Sequence, residues 1–440
     1  MGVVQSAPNT PADAATDRWT AGDPLVLAPA KVDEKELEKK KKEEEEAFAE
    51  RTTRTHVIAL CRANNKFGIT VLQAMLSKRQ GNVIFSPLDL AVGLGKLCIG
   101  SDSTTREEFR KALFLAEVEP KHRLPAFAAV YWDTLRTTAP KGCEIQAASR
   151  VFVQKEFQMA TAYRETCTKY EMAQVKYVDF KRADSTRAEI NEYVAEKTLR
   201  KITNVLPVGL LDQEIKMLIV AAIYIRSKWN LPFEISKTYT AKFSTGGREK
   251  IDVNMMNTVS VFRAGYTTKL DADVVEIPWA IDHVRMVILL PRKPDQLPRL
   301  EAKLTRSMLE NLEGQLHPEL LDLHIPRIRY ELGFNANEPI QKAGIKDLFV
   351  AGKADLSLMD GGKGLYLTKI FHHICLIVDE GQEDKTVSTP TFGRSSSVGS
   401  SAPASSAERV FKVDRPFIFL VRDYRTRAII VLGRVVRPNT

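Results

Sequence analysis

Near its C-terminal end the chain reads Phe411-Lys412-Val413-Asp414-Arg415-Pro416-Phe417-Ile418-Phe419. Its last three residues open an apolar run to Val421, and a second run, Ala428 to Leu432, follows the polar stretch from Arg422 to Arg427. Two short apolar runs around a polar break predict a hairpin of buried strands. Just upstream, Gln382 to Arg409 is polar and ends in a Ser/Ala/Gly-rich tract. A structureless connection of that length inside a compact domain is uncommon, and such loops are functional or disordered.

Working back toward the N-terminus, Ile215 to Trp229 and Val284 to Leu290 are β-branched and apolar, closed by Pro232 and Pro291. Both predict buried strands. Val83-Ile84-Phe85, set between Gly81-Asn82 and Ser86-Pro87, predicts another. Helical spacing appears on either side of it, in Phe67, Val71, Leu72, Met75 and Leu76, and in Leu88, Val92, Leu94 and Leu97. Helices early and strands late indicate an α+β fold, and no repeat of solenoid length is visible. Before His56 the composition changes. Residues 1–30, rich in Ala, Pro, Thr and Asp, are expected to be disordered. Residues 31–55 are nearly all charge, with Glu36/Lys40, Glu38/Lys42, Lys39/Glu43 and Lys42/Glu46 four apart, and predict a solvated helical extension. The folded domain is then 56–440.

The 440 residues are 44% hydrophobic and 27% charged, which suits a soluble globular protein with a large core. A net charge of +9 over such a length gives no nucleic-acid signal. No apolar run is long enough to span a membrane. The patch from Pro24 to Ala30 is too short for a secretory signal, and no Asn-x-Ser/Thr acceptor occurs. Cys61, Cys98, Cys143, Cys167 and Cys375 are odd in number and widely spaced. A reducing, cytoplasmic location is therefore expected, with an extracellular one only if the chain started elsewhere. Met1-Gly2 with Ser6 fits the N-myristoylation pattern, so Gly2 is a candidate lipid anchor.

Enzyme constellations are missing: no GxSxG elbow, GxxxxGK[ST] loop, GxGxxG fingerprint or HExxH pair is present. His372-His373 with Cys375 lacks a second ligand pair at zinc-like spacing, so buried, hydrogen-bonded histidines are the simpler reading. Asp360-Gly361-Gly362-Lys363-Gly364 reads as a tight turn. No enzyme, cofactor or metal site is expected.

Five ordered blocks carry a family resemblance over 56–440. Phe411 to Phe419 resembles the serpin signature. Asn82 to Pro87, Ala221-Ala222-Ile223-Tyr224 through Lys228-Trp229 with Pro232-Phe233-Glu234, Ala354-Asp355-Leu356-Ser357, and Leu432-Gly433-Arg434-Val435 are similar to other serpin blocks. The resemblance implies a monomer of three β-sheets with about nine helices and an exposed reactive-centre loop, here 382–409. In inhibitory serpins a serine protease cuts the loop and forms an acyl-enzyme. The loop then inserts as a new central strand and distorts the protease, driven by a metastable fold. The resemblance also implies a structural gate. Ser86, Asn191 and His372 match a polar cluster under the parting strands, with Asp89 where the family has a second serine. Glu380 or Asp379 matches the acid at the loop base, with Arg327 as its basic partner near Trp229.

The loop departs from the inhibitory pattern. The hinge reads Glu380-Gly381-Gln382-Glu383-Asp384-Lys385-Thr386, one residue short and polar where the family has several alanines. Counting from Gly381, the side chains buried by insertion are Gln382, Asp384, Thr386, Ser388, Pro390 and Phe392. Burial of Asp384 without a partner costs several kcal/mol, and Pro390 brings no N–H to a central strand. Weak or lost inhibition with a protein-binding role is therefore expected. The alternative is a working inhibitor of a trypsin-like serine protease, with the reactive bond at Arg394, Ser395 or Ser396. A third reading is a collagen-chaperone-like serpin, from similarity around Ala354–Met359, Leu365–Leu367 and Pro416–Asp423, with Asp414 at the collagen-contacting position.

Overall fold

The C-terminal hairpin lies near one end of a large sheet, one strand in from its edge. The computed structural model describes residues 54–78, 80–135, 142–170, 175–247, 249–381 and 409–438. Its strands are β1 (Val83–Phe85), β2 (Glu144–Gln154), β3 (Lys176–Val178), β4 (Met217–Arg226), β5 (Tyr239–Ser244), β6 (Lys250–Thr267), β7 (Ala272–Pro278), β8 (Val284–Pro291), β9 (His317–Pro326), β10 (Ile328–Asn335), β11 (Lys369–Val378), β12 (Arg409–Lys412), β13 (Phe417–Asp423) and β14 (Ile429–Val435). Ten α-helices accompany them among the described residues.

The strands form two hydrogen-bonded sheets, where three were expected. One has nine strands in the order β1-β14-β13-β8-β7-β6-β9-β12, with β5 also on β6. The other has five, in the order β10-β11-β4-β2-β3. The difference comes from β6, which is 18 residues long. It pairs with β5 near its start, with β9 along its middle and with β7 at its end, so one ladder joins what would otherwise be two sheets.

The predicted hairpin is β13–β14, paired from Phe417/Val435 inward. Asp423 holds its turn, where Oδ1 accepts from Arg425 N at 2.7 Å and from Thr426 N at 3.2 Å. Both strands are buried throughout, because β1 and β8 flank them and the helix Arg54–Leu76 covers them. That helix is tied down by two buried asparagines. Asn64 Nδ2 donates to Ile429 O at 3.3 Å, and Asn65 Oδ1 accepts from Ile429 N at 2.9 Å. Gly433 is required by close approach: a Cβ there would lie 2.7 Å from Phe419 and 3.0 Å from Ile84. Of the expected N-terminal segments, 1–30 and nearly all of 31–55, with Gly2, lie outside the described residues. No described helix is long and apolar enough to cross a membrane.

The five-stranded sheet is covered on both faces. The helix Pro87–Gly100 starts at Ser86, whose Oγ accepts from Asp89 N at 3.1 Å, with Pro87 in the first turn where no N–H is needed. It packs beneath the sheet so closely that a Cβ on Gly93 would sit 3.1 Å from Ile219. The helix Ala183–Lys197 lays Ile190 and Val194 on the other face, against Phe152, Val220 and Phe371. Phe419→Ala should cost about 3–5 kcal/mol through the cavity left beside Gly433, without loss of the fold, as a lowered urea midpoint at unchanged m-value.

Candidate functional site: a sheet seam and the base of a loop

β4 and β11 run parallel and side by side, in register from Leu218/Lys369 to Arg226/Ile377. Alternation along β11 sends Ile370, Ile374 and Leu376 to the face above helix Pro87–Gly100, and Phe371 and Cys375 to the opposite face. His372 belongs to the first set and is fully buried, directly opposite Ala221 across the seam. Its Nδ1 is 2.9 Å from Ala221 O, and Ser86 N donates to its Nε2 at 3.0 Å. Those partners assign the ring as neutral with the proton on Nδ1. Burial drives its pKa down to about 3 against the favourable bond to Ala221 O, so the ring stays uncharged in neutral solution. Ser86 completes the arrangement, its Oγ donating to Ile430 O at 2.7 Å.

Asp89 lies one helical turn further on, wholly buried. Its Oδ2 is 3.9 Å from His372 Nδ1, and neither carboxylate oxygen has a hydrogen-bond partner among protein groups. Burial raises its pKa to about 7, with Lys96 pulling the other way. Lys96 is also buried, brought down to about 8 chiefly by desolvation, and its Nζ donates to Ser149 O at 2.9 Å.

Asn191 does not join this cluster. It sits on the helix Ala183–Lys197, over the opposite face of the sheet. There its amide bonds Leu206 twice, Nδ2 donating to the carbonyl at 3.3 Å and Oδ1 accepting from the N–H at 2.8 Å. The position that faces His372 is Ala221, whose backbone carbonyl supplies the contact. An alanine carries no polar side chain, so residue type alone did not mark it; the register of the two strands does.

At the top of the seam the chain leaves β11 through Asp379-Glu380-Gly381. Glu380, not Asp379, takes Arg327: Nε lies 2.8 and 3.0 Å from its two oxygens and Nη2 lies 2.6 Å from Oε1. Thr238 Oγ1 donates to Oε1 as well. Burial works to raise the Glu380 pKa, but the Arg327 and Thr238 bonds outweigh it and hold the carboxyl below its ordinary value. Asp379 is paired with Arg226 at 2.8 Å, and its backbone carbonyl accepts from Trp229 Nε1 at 2.6 Å. Trp229 is itself fixed edge-on against Phe233 and Trp279. Gly381 donates its N–H to Asp379 Oδ1 at 2.8 Å with φ +73°, and a Cβ there would stand 2.9 Å from Lys228 Cα. Only glycine fits that corner without strain.

The hinge residues Gln382 and Asp384 and the candidate bond at Arg394, Ser395 and Ser396 lie outside the described residues. Where the chain re-enters the fold, Arg409 pairs with Asp273 at 2.6 Å and Glu319 at 2.9 Å. Asp414 has its Oδ1 held by Arg415 at 2.9 Å. His373 bonds Glu331 at 3.3 Å. No metal-holding group of His, Cys, Asp and Glu occurs among the described residues. Asp360 to Gly364 forms a turn, with Gly361 at φ +79° and Gly362 N donating to Asp360 Oδ1. No disulfide joins the five cysteines, all of which are described.

A family model described as serpin, serine protease inhibitor, matches residues 62–438. Serpin B8 of Bos taurus is 31% identical over 385 residues, spanning 86% of this chain and 100% of its own. The leukocyte elastase inhibitor of Bos taurus is 31% identical over 390 residues, spanning 86% and 99%. Among solved structures, maspin superposes with a TM-score of 0.78 at 24% identity, covering 87% of this chain and 100% of its own. Uncleaved ovalbumin gives 0.76 at 20% identity, covering 86% and 100%. At those identities the two structures establish the likeness of fold.

Arg327→Ala leaves Glu380 buried beside a single hydroxyl and should cost about 2–3 kcal/mol in urea unfolding, a low figure for a broken pair because Arg327 is 34% exposed. A carboxyl held below its ordinary pKa stabilises the fold above the ordinary carboxylate range and loses that contribution as pH falls through its folded value. The wild-type advantage over this variant should therefore shrink in acid. Gly381→Ala should cost about 1–2 kcal/mol from the left-handed backbone alone.

Proposed function

This chain belongs to the serpin family, and we propose that its loop inserts slowly or not at all, leaving weak or lost inhibition of serine proteases and a role in binding another protein. One observation carries this reading: the slot that an inserting strand must enter is closed and buried on the face toward helix Pro87–Gly100. Ala221, Ile223, His372 and Ile374 line that face with no exposure, and β4 and β11 are laddered along their shared length. The cation nearest that face, Lys96, is engaged by Ser149 O, and the nearest anion is Asp89. Asp384 entering there would meet like charge, and Pro390 would leave a carbonyl of the new ladder without its donor. Both costs slow insertion, and trapping requires insertion to outrun deacylation.

A partner would find a flat apolar surface on the nine-stranded sheet. Val261 faces Leu320 across β6 and β9, while Val259 and Val410 flank Asp322, and all four apolar side chains are exposed. Five cysteines without a disulfide support a reducing compartment. A second reading is an inhibitor of a trypsin-like protease cleaved after Arg394 or Ser395: the relative named as an elastase inhibitor favours inhibition, and Arg394 favours a trypsin-like enzyme. Collagen binding through Asp414 is less supported, since that carboxylate is already held by Arg415.

Incubation with trypsin should give cleavage beside Arg394 with no SDS-stable complex and an unchanged thermal melt. A melt raised by tens of degrees after cleavage would establish insertion, and a stable covalent complex would establish the second reading as well. Replacing both obstacles, in Asp384→Ala with Pro390→Ala, should move the protein toward complex formation on the same gel.

A further inference from the structure

One row of paired residues crosses the five-stranded sheet beneath its surface: Ser149 on β2, Ala221 on β4, His372 on β11 and Phe334 on β10. The seam between β4 and β11 cuts this row between Ala221 and His372. Asp89 stands directly under the cut, and two kinds of buried polar atom there lack a protein partner, both Asp89 carboxylate oxygens and Ser149 Oγ. A buried carboxylate without hydrogen bonds is costly when ionised and far less so when protonated. Nothing at this place demands an acid for packing, since Ser86 caps the helix through its own hydroxyl.

We infer that Asp89 is a proton-controlled latch on the β4–β11 seam, holding the sheet shut while protonated and favouring its opening when ionised. The inference rests on the reading that insertion at this seam limits the protein's activity. The closed sheet excludes water from Asp89, whereas parting β4 from β11 exposes the space beside His372 and lets water solvate the carboxylate. Ionisation is therefore linked to opening by the difference in hydration between the two states. A charged Asp89 also competes with Ala221 O for the His372 Nδ1 proton, which weakens the one side-chain contact in the row that spans the seam.

Several other titratable groups surround it. His372, on β11, is neutral in this range because burial holds its pKa near 3. Lys96, on the same helix as Asp89, titrates at about 8, low chiefly through desolvation. Around Lys96 stand Tyr163, whose hydroxyl donates to Lys96 O, and Cys167, both raised by burial. Arg150 lies over the Tyr193 ring at 3.8 Å, and His373 with Glu331 occupies the other face of the sheet. Asp89 and Lys96 are the two whose values fall near neutrality beneath the seam, so the test separates them.

Amide hydrogen exchange, corrected for intrinsic rates, should be followed in the full chain at pH 6 and pH 8 for β4 and β11, with β13 and β14 as internal controls. A carboxyl that titrates near neutrality when buried and near its ordinary value when hydrated predicts about a tenfold rise in seam opening between those pH values. Asp89→Asn, neutral and of the same shape, should abolish the rise and keep the seam protected, and Asp89→Ser serves where the first variant folds poorly. A rise that persists in both variants overturns the proposal, as does a wild-type seam that opens no more than β13 and β14 do. A rise that is lost in Lys96→Met but kept in Asp89→Asn assigns the proton to Lys96 and overturns it equally. A trypsin complex on the gel would defeat the reading on insertion and leave these exchange outcomes decisive for Asp89.

Discussion

Two parallel strands pressed together at the middle of a sheet hold their place through a ladder of backbone bonds and through what lies beneath them. Along β4 and β11 the ladder is unbroken, and the floor is apolar except around His372, which reaches across to Ala221 with Ser86 and Asp89 beside it. The rest of the molecule is arranged around that seam. Helix Pro87–Gly100 seals one face and helix Ala183–Lys197 the other. The hairpin β13–β14 supplies the carbonyl that fixes Ser86, which in turn fixes the His372 ring. One histidine thus ties the smaller sheet, the helix below it and the larger sheet into one unit.

The upper end of the seam is controlled by charge and by backbone geometry. Glu380 is taken by Arg327 and Thr238, and Asp379 by Arg226 and the Trp229 indole, so two successive acids anchor the point where the loop departs. Gly381 then turns the chain through a left-handed conformation in a corner too tight for a side chain. These contacts hold the loop base on top of the sheet. Any strand that follows must break away from them before it can pass between β4 and β11. The polar loop sequence and the closed floor act in the same direction, since both make a buried strand at that place expensive.

Much of this was legible in the sequence. The runs at Val83–Phe85, Ile215–Trp229, Val284–Leu290, Phe417–Val421 and Ala428–Leu432 all appear as strands, within a few residues at their ends. Buried strands are written as short β-branched and aromatic runs between Pro and polar breaks, so periodicity and punctuation suffice. Ser86, Arg327, Trp229, His372 and Glu380 were named through the serpin resemblance, and they stand along the seam and at the loop base. Asn191, named in the same way, stands elsewhere. It is a buried amide in the right neighbourhood of the chain, but a helix carries it to the far face of the sheet, where it serves Leu206.

The linear order of residues determined the α+β class, the family, the strands and their burial, and the polar loop, for these depend on local pattern and composition. Only the tertiary structure decided which acid meets Arg327, which carbonyl meets His372, and that Asp89 is left with no partner. Each of these is a contact between segments far apart in the chain, fixed by strand register and by the face a helix presents. A shift of one residue along a strand reverses every side chain on it. Pairing across the seam is therefore settled by packing, and no feature of the neighbouring sequence encodes it.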